Sequence, residues 1–478
     1  MAVSDQAIPE SAAGHGRPAG LGAHPVATLT VASLATALVL LVFTVPLTTM
    51  TATVQALDAS VTAQAWIYSA MSIGAAAGLL GSGAIGDELG RRRTFVAGTL
   101  LLGLASLIAA LAPTALWLVV ARLLQGLGGA AILACSLGLI GQAWSGPALA
   151  RATGIWGAAL GAGVALGPIL WSELVKVGGW RLPHTVSTVA ALLLAVVGGR
   201  WLSESRASQR RPIDVLGMLL FAAATTCLLA GLTQLRVDWR GPLVWGLLAA
   251  GGAGLAGFVQ VQRRSRAPML DLALFRRADF TAASVAALAS GAGVLSLMSL
   301  VPVMVERVMG RDTLSAAIVL VAWSATSSVT AFASRWLPGT PRQLLIGGLL
   351  GCAIGQLAIY AIGPDSGWAQ LLPGLFIAGA ANGILNAALG HQAVASVPLD
   401  RSAMGSGANN TARYLGSATG LTICALLLLG SNGASDVAEL TLGWRQAVLV
   451  TVGASLLGAI AVWLLRDAPD RTHAQAKR

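Results

Sequence analysis

Charge is what this chain has least of. Asp, Glu, Lys and Arg make up 10% of its 478 residues, against about 25% in an ordinary soluble domain. Hydrophobic residues reach 56% and the mean hydropathy is +0.76. That much apolar surface cannot be hidden in a water-soluble core, so the bilayer is the solvent of this chain. Lysine is nearly absent, with only Lys176 and Lys477 among 30 Lys plus Arg, a bias that hints at a GC-rich bacterial genome. Neither lysine has the glycine-rich approach of a nucleotide-binding loop, which excludes an ATPase of the Walker type. Cysteine is sparse too. Cys135, Cys227, Cys352 and Cys424 each fall in a different apolar segment, and the five histidines are scattered. Neither set has the spacing of a disulfide framework or a zinc site. No catalytic constellation is present, and an enzyme is not expected. The sequence Gly81-Ser-Gly83-Ala-Ile-Gly86 spells G-x-G-x-x-G. It ends an apolar run with no strand before it, which argues against dinucleotide binding.

What is present is apolar length. A spanning helix needs about 20 mainly apolar residues. Fourteen segments qualify: roughly 27–49, 65–86, 94–112, 115–140, 150–173, 182–202, 214–235, 241–261, 280–303, 313–334, 342–363, 369–395, 403–430 and 443–465. The net charge of +11 does not gather on one face or tail, as nucleic-acid binding requires. It recurs in short loops. With the N-terminus inside, the inner loops and tails hold 21 Lys and Arg and the outer loops seven. This predicts a multi-pass protein with both termini cytoplasmic. The two longest charged interruptions, 203–213 and 262–279, divide the chain. The expected organisation is a cytoplasmic tail at 1–26, a six-helix bundle at 27–203, a linker with two additional helices at 204–279, a second six-helix bundle at 280–465 and a tail at 466–478. Ser334-Arg335-Trp-Leu-Pro-Gly339-Thr-Pro341-Arg342 stands where a degenerate copy of the Gly83–Arg93 segment would fall, without its acidic residue.

Four stretches carry polar chemistry. Gly83-Ala-Ile-Gly-Asp87-Glu-Leu-Gly90-Arg91-Arg92-Arg93 places a carboxylate, a turn glycine and a basic cluster between two apolar segments. In the fourth segment Arg122 lies about two turns inside, with Gln125 one turn away on the same face and Gly126 beside it. An intramembrane arginine costs several kcal/mol unless it faces a cavity or finds partners; it either ties helices together or lies on a transport path. The fifth segment carries Gly154, Gly163, Gly167 and Pro168, small residues for close packing and a proline that removes a backbone hydrogen bond. The thirteenth holds Asn409, Asn410 and Arg413 at helical spacing, a polar cluster suited to a central cavity or to a network between helices.

These stretches together resemble the major facilitator superfamily, and within it the 14-helix drug:proton antiporters. The loop signature is matched at Gly83, Asp87, Gly90, Arg91 and Arg92, the fourth-helix motif at Arg122, Gln125, Gly126 and Gly128, and the antiporter motif at Gly154, Gly163, Gly167 and Pro168. The resemblance implies an all-α fold of two six-helix bundles plus two linker helices. It implies export of small amphipathic or hydrophobic compounds across a bacterial plasma membrane by alternating access, with a small-molecule substrate, protons and the bilayer as partners. No cofactor is expected; a proton gradient would be the energy source and the protein a monomer. Asp87 would sit near the start of the thirteenth helix as a conformational latch, Arg122 would be linked to proton coupling, and the fifth helix to bundle packing. Three departures stand out. Glu88 replaces a usually basic residue, Trp171-Ser172 stand where a glycine pair is usual, and the first helix, with Phe43-Thr44-Val45-Pro46, lacks the usual aspartate. Glu173 is then the carboxylate left to carry a proton. A uniporter or importer of the same fold stays open, as does a transport-inactive membrane sensor or scaffold.

Overall fold

A computed structural model describes residues 24–208, 212–236, 238–429 and 436–465. Most of the N-terminal tail, the whole C-terminal tail and the linker arginines Arg210 and Arg211 lie outside the described residues. Every regular element among those described is helical. The first half holds α1 (Pro25–Leu57), α2 (Val61–Leu89), α3 (Arg91–Ala110), α4 (Ala115–Ala143), α5 (Gly146–Gly178) and α6 (Leu182–Trp201). A hairpin of α7 (Val215–Leu235) and α8 (Pro242–Arg264) follows. The second half runs through α9 (Ala278–Ser290), α10 (Ser296–Arg307), α11 (Thr313–Ala333), α12 (Pro341–Ala358), α13 (Trp368–Ala395), α14 (Ser402–Leu429) and α15 (Val437–Leu464).

The fifteen helices make fourteen rods, because α9 and α10 are one span of 30 residues interrupted by a π-helical turn at Gly291–Leu295. Among the described residues twelve rods are long and apolar enough to cross a membrane; α11 and α12 stand beside them in the second half. Several helices outrun the apolar segments that announce them. α5 spans 33 residues, near 50 Å at about 1.5 Å per residue, against a hydrocarbon thickness of about 30 Å. Its polar ends continue the helix into the interface, where composition no longer marks it.

Each half has its own apolar core. One is built around Val39, Leu102, Leu133 and Trp156, the other around Val301, Leu349, Leu385 and Trp444. The halves touch through α2 on α14 and through α5 on α11 and α13. The hairpin lies against α2 and, less extensively, α14. Its base is tied by Asp214, which caps α7 through Gly217 N at 2.8 Å and accepts from Gln262 Nε2 of α8 at 2.6 Å. Gln262 Oε1 in turn accepts from Leu270 N at 3.1 Å, so one carboxylate and one amide fix both ends of the hairpin against the following linker.

Candidate functional site

The segment between α2 and α3 is built from its glycine outward. α2 stops at Leu89 because Gly90 takes φ 128°, a conformation closed to residues with a Cβ. Arg91 then opens α3 directly. The turn returns the Asp87 carboxylate and the Arg91 guanidinium to one another at 2.7–2.8 Å, both fully buried. The same carboxylate accepts Ala403 N at 3.1 Å and Met404 N at 2.8 Å, the free N–H groups opening α14. A carboxylate at a helix N-terminus satisfies orphan donors and meets the positive end of the helix dipole. Arg91 completes the clamp by donating to Leu399 O at 2.8 Å and to Gln142 Oε1 at 3.2 Å. One ion pair thus joins α2, α3, α4 and α14 across the two halves.

Arg92 and Gly83 support that clamp without entering it. Glu204 accepts from Arg92 N at 3.0 Å, and Arg92 Nη1 reaches Leu202 O at 3.3 Å. A Cβ on Gly83 would meet Ala403 O at 2.5 Å, so only glycine lets α14 come down onto α2. Ala207 N donates to Asp87 O at 2.7 Å, and Ser208 Oγ to Asp400 Oδ2 at 2.7 Å. The chain leaving α6 therefore straps the same corner. Glu204, Gln142 and Ser208 carry no local signal in the sequence; only the fold brings them here.

Arg122 is fully buried in α4, and its partners explain its place. Pro46 lies inside α1 and has no N–H to offer the carbonyl four residues back. That orphaned carbonyl is Val42 O, and Arg122 Nη1 donates to it at 2.8 Å. Arg122 Nη2 reaches Phe43 O at 3.1 Å. Gln125 Oε1 accepts from Arg122 at 3.0 Å, while Gln125 Nε2 is held by Ser106 Oγ of α3 at 3.0 Å. Hydrogen bonds to a charged group contribute about 1.5–3 kcal/mol each. Three of them are of the size needed to offset an intramembrane arginine, about 2.5–3.5 kcal/mol on insertion scales. No carboxylate pairs with Arg122 among the described residues. Gly126 does not join this network; it packs α4 against Met71 O and Ala75 N of α2.

The α5 motif divides between two neighbours. Gly154 faces α11, where a Cβ would lie 2.9 Å from Ala331 O. Gly163 and Gly167 face α1, against Ala37 O and the Thr44 hydroxyl. Pro168 sits inside the helix one turn before Trp171, whose Nε1 donates to Leu41 O at 2.7 Å. Trp171 thus closes on α1 where a glycine pair is usual in the family resembled.

Two expectations change. Asn409, Asn410 and Arg413 do not form one hydrogen-bonded cluster. Asn409 Nδ2 donates to Ala283 O at 3.1 Å and Asn410 Nδ2 to Ser406 O at 3.1 Å. Backbone carbonyls outcompete the guanidinium, which has no acceptor to offer. Arg413 makes no hydrogen bond among the described residues, and its Nε is buried without a partner. Glu173 ends at the far end of α5, 64% exposed and paired with Lys176 at 2.6 Å. The structure does not bring it to Arg122. The degenerate segment after α11 is also different in kind: Arg335 stacks on Phe332 and Trp336, and Thr340 caps α12.

Two helical halves, each centred on its own apolar core and joined through α2 on α14 and α5 on α11 and α13, with a buried carboxylate on a helix N-terminus at the seam, have the architecture of a membrane transporter. The sequence model of the Major Facilitator Superfamily matches residues 32–421, and the chain belongs to that family. It is 32% identical over 409 residues to the probable actinorhodin transporter of Streptomyces coelicolor, covering 82% of this chain and 70% of that one. It is 32% identical over 382 residues to the multidrug efflux pump LfrA of Mycolicibacterium smegmatis, with 76% and 72% covered. Among solved structures, the human organic anion transporter MFSD10 superposes with a TM-score of 0.67 over 92% of this chain and 99% of its own, at 17% identity. That last likeness concerns the fold alone.

Proposed function

We propose that this protein exports small amphipathic or hydrophobic compounds, drugs, antibiotics or metabolites, across the bacterial plasma membrane by alternating access driven by proton antiport. The observation that carries the reading is the Asp87 clamp. It closes one end of the interface between the two halves through contacts a rocking motion would break together. The two relatives, a probable actinorhodin transporter and a multidrug efflux pump, support export as its direction. The arginine-rich loops support a cytoplasmic position for the clamp and both termini. The state described is then closed toward the cytoplasm. The protein works as a monomer without a cofactor.

One observation favours a second reading, uniport or import without protons: no carboxylate pairs with Arg122 among the described residues. The experiment is efflux of ethidium, puromycin and tetracycline from a pump-deficient host, with and without an uncoupler. Antiport predicts lower accumulation that the uncoupler abolishes. Export that survives full collapse of the proton gradient supports the second reading, and no change in accumulation for a broad compound panel overturns export.

A further inference from the structure

We infer that Arg413 is an anion-binding residue of the transport site, and that the preferred substrates are amphipathic organic acids whose carboxylate or phenolate it receives. The inference rests on the export reading and names the chemical class of the substrate. Its starting point is the distribution of charge. Every carboxylate among the described residues lies in a loop, caps a helix or sits within a turn and a half of a helix end. Asp87 and Glu88 close α2 at the clamp, Glu173 lies near the end of α5, and Glu306 and Glu439 lie at the ends of α10 and α15. The interior between the helices receives two guanidinium groups instead, from Arg122 and Arg413. Arg122 is occupied by Val42 O, Phe43 O and Gln125. Arg413 has no ion pair and no hydrogen bond among the described residues. Its Nε is buried without a partner, while Nη1 and Nη2, equally unbonded, are not enclosed. An intramembrane cation left in that condition is costly unless something else meets it.

The face of α14 fixes where the group lies. Ser406 Oγ donates to Leu133 O of α4 at 3.1 Å, so this side of α14 is turned to the first half. Arg413 follows seven residues later, two turns on and on the same side. Tyr414, the next residue, packs on the first-half core and on the cluster around Ile73 of α2. The exposed side of α14 is elsewhere, at Thr419 and Ile423. On its flank α14 rests on the π turn, where a Cβ on Gly291 would fall 2.7 Å from Ser417 N and closer still to Arg413 O. π turns are frequent at functional sites, and this one seats the Arg413 backbone on a packed neighbour. From Ser402, the start of α14, Arg413 is ~17 Å in at about 1.5 Å per residue, well inside the bilayer. Asn386 of α13 stands at a similar depth from the clamp end of its own helix. It makes no hydrogen bond among the described residues, and its Oδ1 is buried without a partner. One turn on, a Cβ at Gly390 would stand 3.3 Å from the Trp156 ring of α5, so this side of α13 also looks to the first half.

The chemistry that fits is an oxyanion on an apolar body. A guanidinium presents a planar fork that takes a carboxylate through two parallel hydrogen bonds. Away from water, such a pair is stronger than at a surface. The Asn386 amide adds a neutral donor and acceptor for a hydroxyl or carbonyl on the same molecule, and the apolar seam takes the rest. A cationic amphiphile meets the opposite situation, a site with a positive charge and no carboxylate to receive it.

Two xanthene dyes of opposite charge, fluorescein and tetramethylrhodamine methyl ester, test this by titration of the purified protein in nanodiscs. The wild type is expected to bind fluorescein about tenfold more tightly than the cation, or better. Arg413→Gln should weaken fluorescein binding about tenfold or more while leaving the cation's affinity unchanged or improved. A purely structural arginine would not separate the two dyes. Arg413→Lys keeps the charge and loses the fork, so its fluorescein affinity should fall between. Equal fluorescein affinity in the wild type and Arg413→Gln overturns the inference. So does a wild type that binds the cation as well or better, or binds neither dye, and that comparison decides the matter even if the variants fail to fold. Those outcomes leave export standing where a broad compound panel accumulates less in cells carrying the protein; a panel without change overturns export itself.

Discussion

A carboxylate that closes two helix N–H groups and one guanidinium at once cannot be removed by halves. Asp87 accepts from Ala403, Met404 and Arg91. Asp87→Ala leaves Arg91 buried without its counter-charge, a change worth about 3–5 kcal/mol in comparable buried pairs. Because the clamp exists only while the halves meet at this end, the loss falls on one conformational state, and the population moves to the other. Ser406 reports it, since it is fully buried and donates to Leu133 O across the interface at 3.1 Å. A cysteine at Ser406 is expected to be alkylated about tenfold faster or more once Asp87 is alanine. An unchanged alkylation rate would mean that the clamp does not set the equilibrium.

At the scale of the element, α1 and α5 form the pair that motion must respect. Gly163 lets α5 lie on the α1 backbone, where a Cβ would stand 2.5 Å from Ala37 O, while a Cβ on Gly199 of α6 meets nothing within 4 Å. Gly163→Val should cost about 1–3 kcal/mol through forced separation of the helices and lower the melting temperature of purified protein. Gly199→Val should leave it unchanged; equal effects at both sites would place the packing elsewhere. This element also marks the limit of what sequence conveys. The fourteen rods and the Arg122-Gln125 pair were legible, because apolar length and helical spacing are local properties. The Val42 carbonyl as the acceptor for Arg122 was not, although Pro46 marks where an acceptor falls vacant. The π turn at Gly291–Leu295 has no compositional sign, and Glu204 reaches Arg92 from 112 residues away. The asparagines of α14 misled for a physical reason: spacing shows which side chains share a face, not which carbonyls on other helices compete for them.

The whole molecule is asymmetric along its length. The hydrogen bonds that cross between the halves, Asp87 with α14, Arg91 with Leu399 and Ser406 with Leu133, gather toward one end, while packing such as Gly161 on Ser324 continues along α5. The opposite ends of α5 and α6 bond within their own half, to α1 and to the α3–α4 turn. Alternating access requires such an arrangement to invert, so a covalent bond at the clamp end should stop transport without disturbing the fold. Ser208 and Asp400 suit this test, being exposed and in contact at 2.7 Å between the segment that leaves α6 and the second half, seven residues beyond the end of α6. Among the native cysteines, Cys135, Cys352 and Cys424 are buried and Cys227 is half-buried, which limits competing reaction. With both residues changed to cysteine and joined by a short reducible cross-linker, efflux should fall to the level of cells without the protein and return when the bridge is reduced. Transport that continues through an intact bridge would rule out opening at this end and, with it, a cycle in which the Asp87 clamp must break.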